Sequence, residues 1–459
     1  MLTYPMRRIN PLLLLMCVGL TLLPLAAALA APRDVVEQVA TLIENNYFDP
    51  TRAAEIAGDL RTRAQSGEFD SLGDPRDLAT AVTARLQPRD HHFRLTWSPA
   101  GRPTSDRPDS ADPGPAQSLE TLERRNAYGF RRVEMLPGAL GYIDLRTFAD
   151  FSFAKPDEPA RLAADAALAL VTSADAVIID LRNNAGGSPN MVGYLVSAFT
   201  TPDANIYNTF QQRDATESER PKQSYAKPRL DVPLYILISG RTASAAESTA
   251  YTLQAAKRAV IVGEVSAGAA NPGGELPVGD GFNVFISTST AINPVTGTNW
   301  EGVGVKPDVP INPDEALERA EILALEAVLA REPNGASAVE TRWILEALRA
   351  ETTPAPSNGA PLAQYVGSYT GGASIVVRNG TLGLLRDRRP LWALVRIRGD
   401  VFAVRDEPFR RVQFERDAAR KVTRFELVRA GGPAAWFSKE GHATCRTGAA
   451  PAPERCSSP

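Results

Sequence analysis

Ser244 is the residue of this sequence best placed to act as a nucleophile. It lies in Ser239-Gly-Arg-Thr-Ala-Ser-Ala-Ala-Glu247, after an apolar run and at the start of a helical one. At such a strand-to-helix junction the hydroxyl sits beside the free N–H groups of the first helical turn. That of Ala245 is the first of them, and it can stabilise a developing oxyanion. The same residues, Ser244-Ala-Ala-Glu247, also spell a capping box, so spacing alone assigns a helix cap before it assigns chemistry.

A serine nucleophile needs a base within hydrogen-bond reach. The chain has three histidines, His91, His92 and His442. His442 falls near the C-terminal tail, whereas Asp90-His-His-Phe93 falls where an N-terminal helical region gives way to the central core. A histidine base needs an orienting acceptor, and Asp90, Glu247, Glu264 and Glu301 are all open to that role. The turn Asp180-Leu-Arg-Asn-Asn-Ala-Gly-Gly187 follows the most apolar strand, and its glycines allow close backbone approach. It is either an ordinary turn braced by an Asp180–Arg182 ion pair or the source of a second oxyanion amide at Gly186. The small-residue loop 263–274 either wraps a substrate backbone or merely turns. No Cys and His cluster has metal-ligand spacing, and no cofactor is implied.

The elements that must position these residues follow from hydrophobic period. Residues 33–87 read as helical, with Val35, Val36, Val39, Leu42 and Ile43 at helical spacing. From 99 to 117 the chain turns to Pro, Ser, Asp and Gly, which marks a linker. Strands are expected at 141–145, 176–181, 234–239 and 259–263, with helices at 159–171, 191–199 and 244–257. That rhythm specifies an α/β core with a largely parallel sheet. An amphipathic strand follows at 282–290, and helix returns over 314–350 with a break at Pro333-Asn-Gly335. Beyond a Pro-rich stretch at 353–361, short strands at close intervals predict a small antiparallel β domain.

With 44% hydrophobic and 22% charged residues, the chain can bury a sizeable core. A formal charge of −3 offers no basic footprint for nucleic acid. Arg7 and Arg8, the apolar run 12–25 and Ala28-Leu-Ala30 form the three parts of a secretory signal. Its apolar run is shorter than the roughly 20 residues a membrane span needs. The expectation is therefore a cleaved leader, a periplasmic or secreted protein and no stable membrane span afterwards. Cys445 and Cys456 remain in the tail, able to close a short disulfide or to stay unpaired. The expected order is a signal peptide at 1–30 and a helical domain at 31–97. A linker and lead into the core fill 98–134, followed by the α/β domain at 135–350, the β domain at 362–440 and a tail at 441–459.

Four ordered motifs then add a resemblance. Asp180-Leu-Arg-Asn-Asn-Ala-Gly-Gly187, Thr242-Ala-Ser-Ala-Ala-Glu247, Val262-Gly-Glu264 and Gly302-Val-Gly-Val-Lys-Pro-Asp308 resemble the tail-specific, or carboxyl-terminal processing, protease family over residues 135–312. The resemblance implies an α/β core of the ClpP/crotonase-like type and peptide or unfolded protein substrates. It implies Ser244 as nucleophile and the Gly186 and Ala245 amides as oxyanion donors. The best-known branch uses a lysine base in a Gly-Lys-Gly segment, where this chain reads Gly268-Ala269-Ala270, and no PDZ module is recognisable. The chain is more similar to the branch of interphotoreceptor retinoid-binding protein and the tricorn protease core, which carries an Asp-x-His segment matched by Asp90-His-His92. That likeness implies His92 as base and Glu301, in Asn299-Trp-Glu-Gly302, as orienting acid. The C-terminal strands resemble β-rich modules appended to bacterial hydrolases. Two rivals stay open: a binding protein for a hydrophobic ligand or peptide on the same fold, and a Ser–Lys enzyme using Lys257 or another lysine.

Overall fold

The structure is a computed structural model that describes residues 31–99, 119–352, 359–386 and 389–441. The expected leader with Cys17, most of the two Pro-rich stretches, His442, Cys445 and Cys456 lie outside the described residues.

The helical region resolves into three helices, Pro32–Asn46, Pro50–Gln65 and Pro75–Leu86. Each opens with proline in its first turn, where the missing N–H costs nothing and φ is already helical. The Asp49 carboxylate caps the second helix by accepting from the Thr51 and Arg52 amides, and Asp74 caps the third by accepting from Arg76. Val36, Val39, Ile43, Leu60 and Val82 point into one shared core.

That core is not closed by the helices alone. The strand Arg94–Trp97 pairs antiparallel with Phe282–Ser287, which pairs in turn with Gly273–Gly279. Phe282, Val284 and Ile286 from this sheet are buried among the helices. The N-terminal region and the second half of the chain therefore share one apolar interior. Phe93, fully buried and stacked on Tyr47 at 5.3 Å, seals it immediately beside His92. The strand at 94–97 went unforeseen because four residues are too few to show a period.

The central sheet has six strands in the order Val309–Pro310, Val260–Gly263, Leu234–Ile238, Ala176–Asp180, Leu140–Leu145 and Phe130–Leu136. All neighbours are parallel except the last pair. Ala176–Asp180 and Leu234–Ile238 are buried along their whole length, as continuous apolar runs covered on both faces require. The helices Pro159–Leu170, Pro189–Ser197 and Ala245–Ala255 contribute to the core on one face, and Ala316–Arg331 and Ala338–Thr352 to that on the other. The strand Phe130–Leu136 straddles the end of the stretch expected as linker and lead into the core, 98–134. Its arginines and glutamate hide the alternation, because an antiparallel edge strand needs apolar contact on one side only.

Eight antiparallel strands follow in simple meander order from Gly367–Tyr369 to Ala434–Ser438. Tyr369 also bridges Lys439, and the Thr370 amide donates to the Ser438 carbonyl, so the last strand returns to the first and nearly closes a barrel. Tyr365, Tyr369, Phe402, Phe414 and Phe425 fill its interior. The barrel packs on the helix Ala338–Thr352, where Arg411 donates to the Trp343 carbonyl at 2.7 Å and lies over its ring.

Because Phe93 closes the shared interior, Phe93→Ala is expected to lower stability by about 3–5 kcal/mol. Urea unfolding of the full chain checks this. A loss below about 1 kcal/mol would show that the ring does not seal that core.

Candidate active site

The strand Leu234–Ile238 ends in a turn that delivers Ser244 to the start of the helix Ala245–Ala255. Ser244 has φ 53° and ψ −121°, a conformation that L-residues rarely adopt. A residue that only caps a helix takes extended angles, as Asp49, Asp74 and Ser188 do in this protein. Such strain costs about 1–3 kcal/mol and persists only where the surroundings impose it. Here the surroundings are specific. Glu247, fully buried, accepts from the Ser244 amide at 2.8 Å and from the Ala269 amide at 2.9 Å through one oxygen. Its other oxygen accepts from Ser266 Oγ and the Gly268 amide, both at 2.6 Å. Under the elbow lies Gly186, where a Cβ would stand 2.8 Å from Ser244 Cβ. Only glycine fits there.

Ser244 is exposed at the mouth of a cavity of about 290 Å³. Gly187 and Ala245 line it. Of the two expected oxyanion donors, the Ala245 N–H opens the helix at the cavity and meets no acceptor among the described residues. The Gly186 N–H is engaged instead, donating to Asn184 Oδ1 at 2.8 Å within its own turn. The next amide, Gly187, is unengaged among the described residues and belongs to the cavity wall. Successive amides along a turn point in different directions, and Gly-Gly in the sequence does not say which of the two faces the cavity. Asp180 and Arg182 form the structural ion pair, at 2.6 Å, and Tyr142 also donates to Asp180.

His92 lies between two carboxylates. Its Nδ1 is 3.2 Å from Asp90 Oδ1 and 3.3 Å from Glu301 Oε1. Asp90 is buried and also accepts from the His92 amide at 2.9 Å, so one side chain fixes both the backbone and the ring. The other Glu301 oxygen accepts from the Ala270 and Asn271 amides at 2.8 and 3.0 Å. The loop 266–271 thus holds Ser244 through Glu247 at one end and His92 through Glu301 at the other. Burial works against a charged His92, but Asp90 and Glu301 outweigh it and raise its pKa to about 9. Burial would likewise raise Asp90, yet bonds from the His92 ring and amide hold it below the ordinary carboxylate range. Of the four candidate acceptors, Asp90 and Glu301 reach the imidazole, while Glu247 holds the elbow and Glu264 accepts from the Gly240 amide.

The match to known proteins falls on this same stretch: residues 139–311 fit Peptidase family S41. The carboxy-terminal-processing protease of Bartonella bacilliformis is 28% identical over 194 residues, 39% of this chain and 40% of that one. Carboxyl-terminal-processing peptidase 1, chloroplastic, of Arabidopsis thaliana is 29% identical over 214 residues, 45% of this chain and 42% of that one. The chain thus spans about two fifths of the length of these relatives. The solved photosystem II D1 C-terminal processing protease is similar at 15% identity and a TM-score of 0.41, over 68% of this chain and all of that one.

Within the matched segment, the position expected to carry a lysine base in the best-known branch holds Ala269, and it lines the Ser244 cavity. Lys257 does not compensate, because it is exposed past the far end of the helix that Ser244 begins. A separation of 13 residues at helical rise puts it roughly 20 Å away. His91 is exposed, with its ring against Gly302. Asp90, His92 and Glu301 are the one group of described residues whose ligand atoms lie close enough together to hold a metal ion. The imidazole nitrogen between two carboxylates equally satisfies a charged hydrogen-bonded set without one. No described helix is long and apolar enough to cross a membrane.

The raised pKa gives a signed expectation. The His92 pairing should contribute its full stability below about pH 6.5 and lose it as pH rises through about 9. Histidine NMR should show a ring titrating near 9, and Glu301→Gln should move it down. A ring titrating near 6.5 in both proteins would contradict the geometry.

Proposed function

We propose that this protein is an exported serine peptidase that cleaves peptide bonds through an acyl-enzyme on Ser244. His92 is the general base, and Asp90 and Glu301 orient it. The observation that carries this reading is the strained elbow at Ser244, whose positive φ a helix cap has no use for. A serine on such a turn is thrust out of the strand-to-helix surface with fresh helix amides beside it.

The chemistry follows from which atoms are free. Nδ1 of His92 is committed to the two carboxylates, which leaves Nε2 as the nitrogen that serves Ser244. Ser244 Oγ attacks the scissile carbonyl as Nε2 takes its proton. The negative charge on the carbonyl oxygen is held by the Ala245 and Gly187 amides. Nε2 then protonates the departing amine as the C–N bond breaks, leaving an ester on Ser244. Water adds to that ester with its proton passing to Nε2, and the carboxylic acid leaves as Oγ recovers the proton. The carboxylates stabilise the imidazolium formed along the way and fix the ring.

On this reading the protein groups with the histidine-using relatives of the carboxyl-terminal processing proteases rather than the lysine-using ones. Ala269 in the cavity and the distance to Lys257 support that choice. Peptides or unfolded proteins are the substrate class the family suggests. Export rests on the charged, apolar and small-residue pattern of residues 1–30.

Turnover of unstructured peptides should fall by about 10³-fold or more in Ser244→Ala and in His92→Ala. Full retention by either variant contradicts the mechanism. Because His92 must be neutral to accept a proton, kcat/KM in the parent protein should climb with pH towards about 9. Glu301→Gln should shift that limb to lower pH while lowering the plateau.

A further inference from the structure

The cavity beside Ser244 has a charged floor that the reaction does not use. The hairpin formed by Thr209–Gln211 and Thr216–Ser218 carries Phe210 and Glu217 to this cavity, and Glu219 follows directly after it. Glu219 is buried, and its Oε2 accepts from Ser248 Oγ at 2.6 Å and from Asn208 Nδ2 at 3.0 Å. Both partners are neutral. No ion pair reaches Glu219 among the described residues, and its second oxygen takes no protein donor. Burial raises its pKa to about 7.

Ser248 stands one helical turn beyond Ser244 on the same face, about 6 Å along the axis. The Glu219 carboxyl therefore lies one side-chain length below the nucleophile. Trp300, Phe210 and Pro272 give the cavity apolar walls, and the charged residues that line it are Glu217 and Glu219, with no lysine or arginine among them. A buried carboxylate without a counter-ion is costly. A purely structural link between hairpin and helix would be served by glutamine, which bonds to hydroxyl and amide partners without a charge. What only a carboxylate supplies at this position is attraction for a cation.

We propose that this cavity is the subsite for the residue on the acyl side of the scissile bond, and that Glu219 selects a basic side chain of lysine length there. The proposal rests on the peptidase reading of Ser244. The four-carbon stem of a lysine matches the depth from Ser244 to Ser248. It lies against Trp300 and Phe210, its ammonium meets Glu219, and exposed Glu217 adds attraction at the rim. A bound cation keeps Glu219 ionised, whereas in the empty cavity the carboxyl takes up a proton as pH falls below about 7.

The test uses the full chain and two peptides that differ only by lysine or norleucine at that position, since norleucine keeps the stem and removes the charge. At pH 8 the kcat/KM ratio should favour lysine by about tenfold or more, the range of a hydrogen bond to a charged group. The ratio should fall close to one in Glu219→Gln. In the unsubstituted protein it should also decline below about pH 7, a readout that needs no variant to fold. Equal or better use of norleucine, or an unchanged ratio in Glu219→Gln, overturns the proposal. If neither peptide is cleaved, the peptidase reading fails. The subsite is then judged by calorimetric binding of the same two peptides to Ser244→Ala. Tighter binding of the lysine peptide, lost on adding Glu219→Gln, supports it, and equal binding overturns it.

Discussion

Glu247 has no exposed surface, and three backbone amides and one hydroxyl meet its two oxygens. A carboxylate in that position must be satisfied completely, because each unmatched lone pair is paid for in desolvation. Satisfying it draws the loop 266–269 against the start of the helix Ala245–Ala255 and fixes the amide of Ser244. The elbow's positive φ is then imposed from both sides, by Glu247 from within and by the close floor at Gly186 beneath. Everything else in the site is measured from that anchor. Ala269 reaches the cavity because its amide is held there, and the next two amides of the same loop hold Glu301.

The second half of the machinery arrives from a different part of the chain. Asp90 and His92 end the N-terminal helical region, and Glu301 lies more than two hundred residues later. They meet because the strand Arg94–Trp97 pairs with Phe282–Ser287 and because the two regions share one apolar interior. Docking of the helices therefore also brings His92 together with Asp90 and Glu301. The pairing has an electrostatic cost, since two carboxylates on one imidazole nitrogen hold it protonated well above neutral pH. An imidazole so placed is strongly oriented and ionised at neutral pH.

Much of the core was legible in the sequence because parallel strands buried on both faces are written as unbroken apolar runs. The strands at 176–180 and 234–238 are such runs, and the junction they feed identified Ser244. The Asp-Pro pairs at 49–50 and 74–75 start two separate helices for equally local reasons, within what hydrophobic period alone showed as one helical stretch. Less legible were features decided by tertiary geometry. Which of Gly186 and Gly187 offers its amide depends on the side chain of Asn184. The resemblance implied Glu301 as the acid beside His92, and the structure sets Asp90 against the same nitrogen as well. The edge strand Phe130–Leu136 and the hairpin bearing Glu217 and Glu219 are short, polar and partly solvated, so no period sets them apart from loop. Glu219 in particular reads as one charge in a charged run, and only the fold shows it buried against Ser248, one helical turn on from Ser244.

The central claim is that Ser244 is an activated nucleophile. The most direct measurement is mass-spectrometric mapping of the adduct formed with a fluorophosphonate probe, which reacts with activated serines without any knowledge of the natural substrate. The account predicts a single phosphonylated peptide containing Ser244, formed slowly or not at all in His92→Ala. An unlabelled Ser244 in the folded protein, or labelling indifferent to the loss of His92, would contradict it.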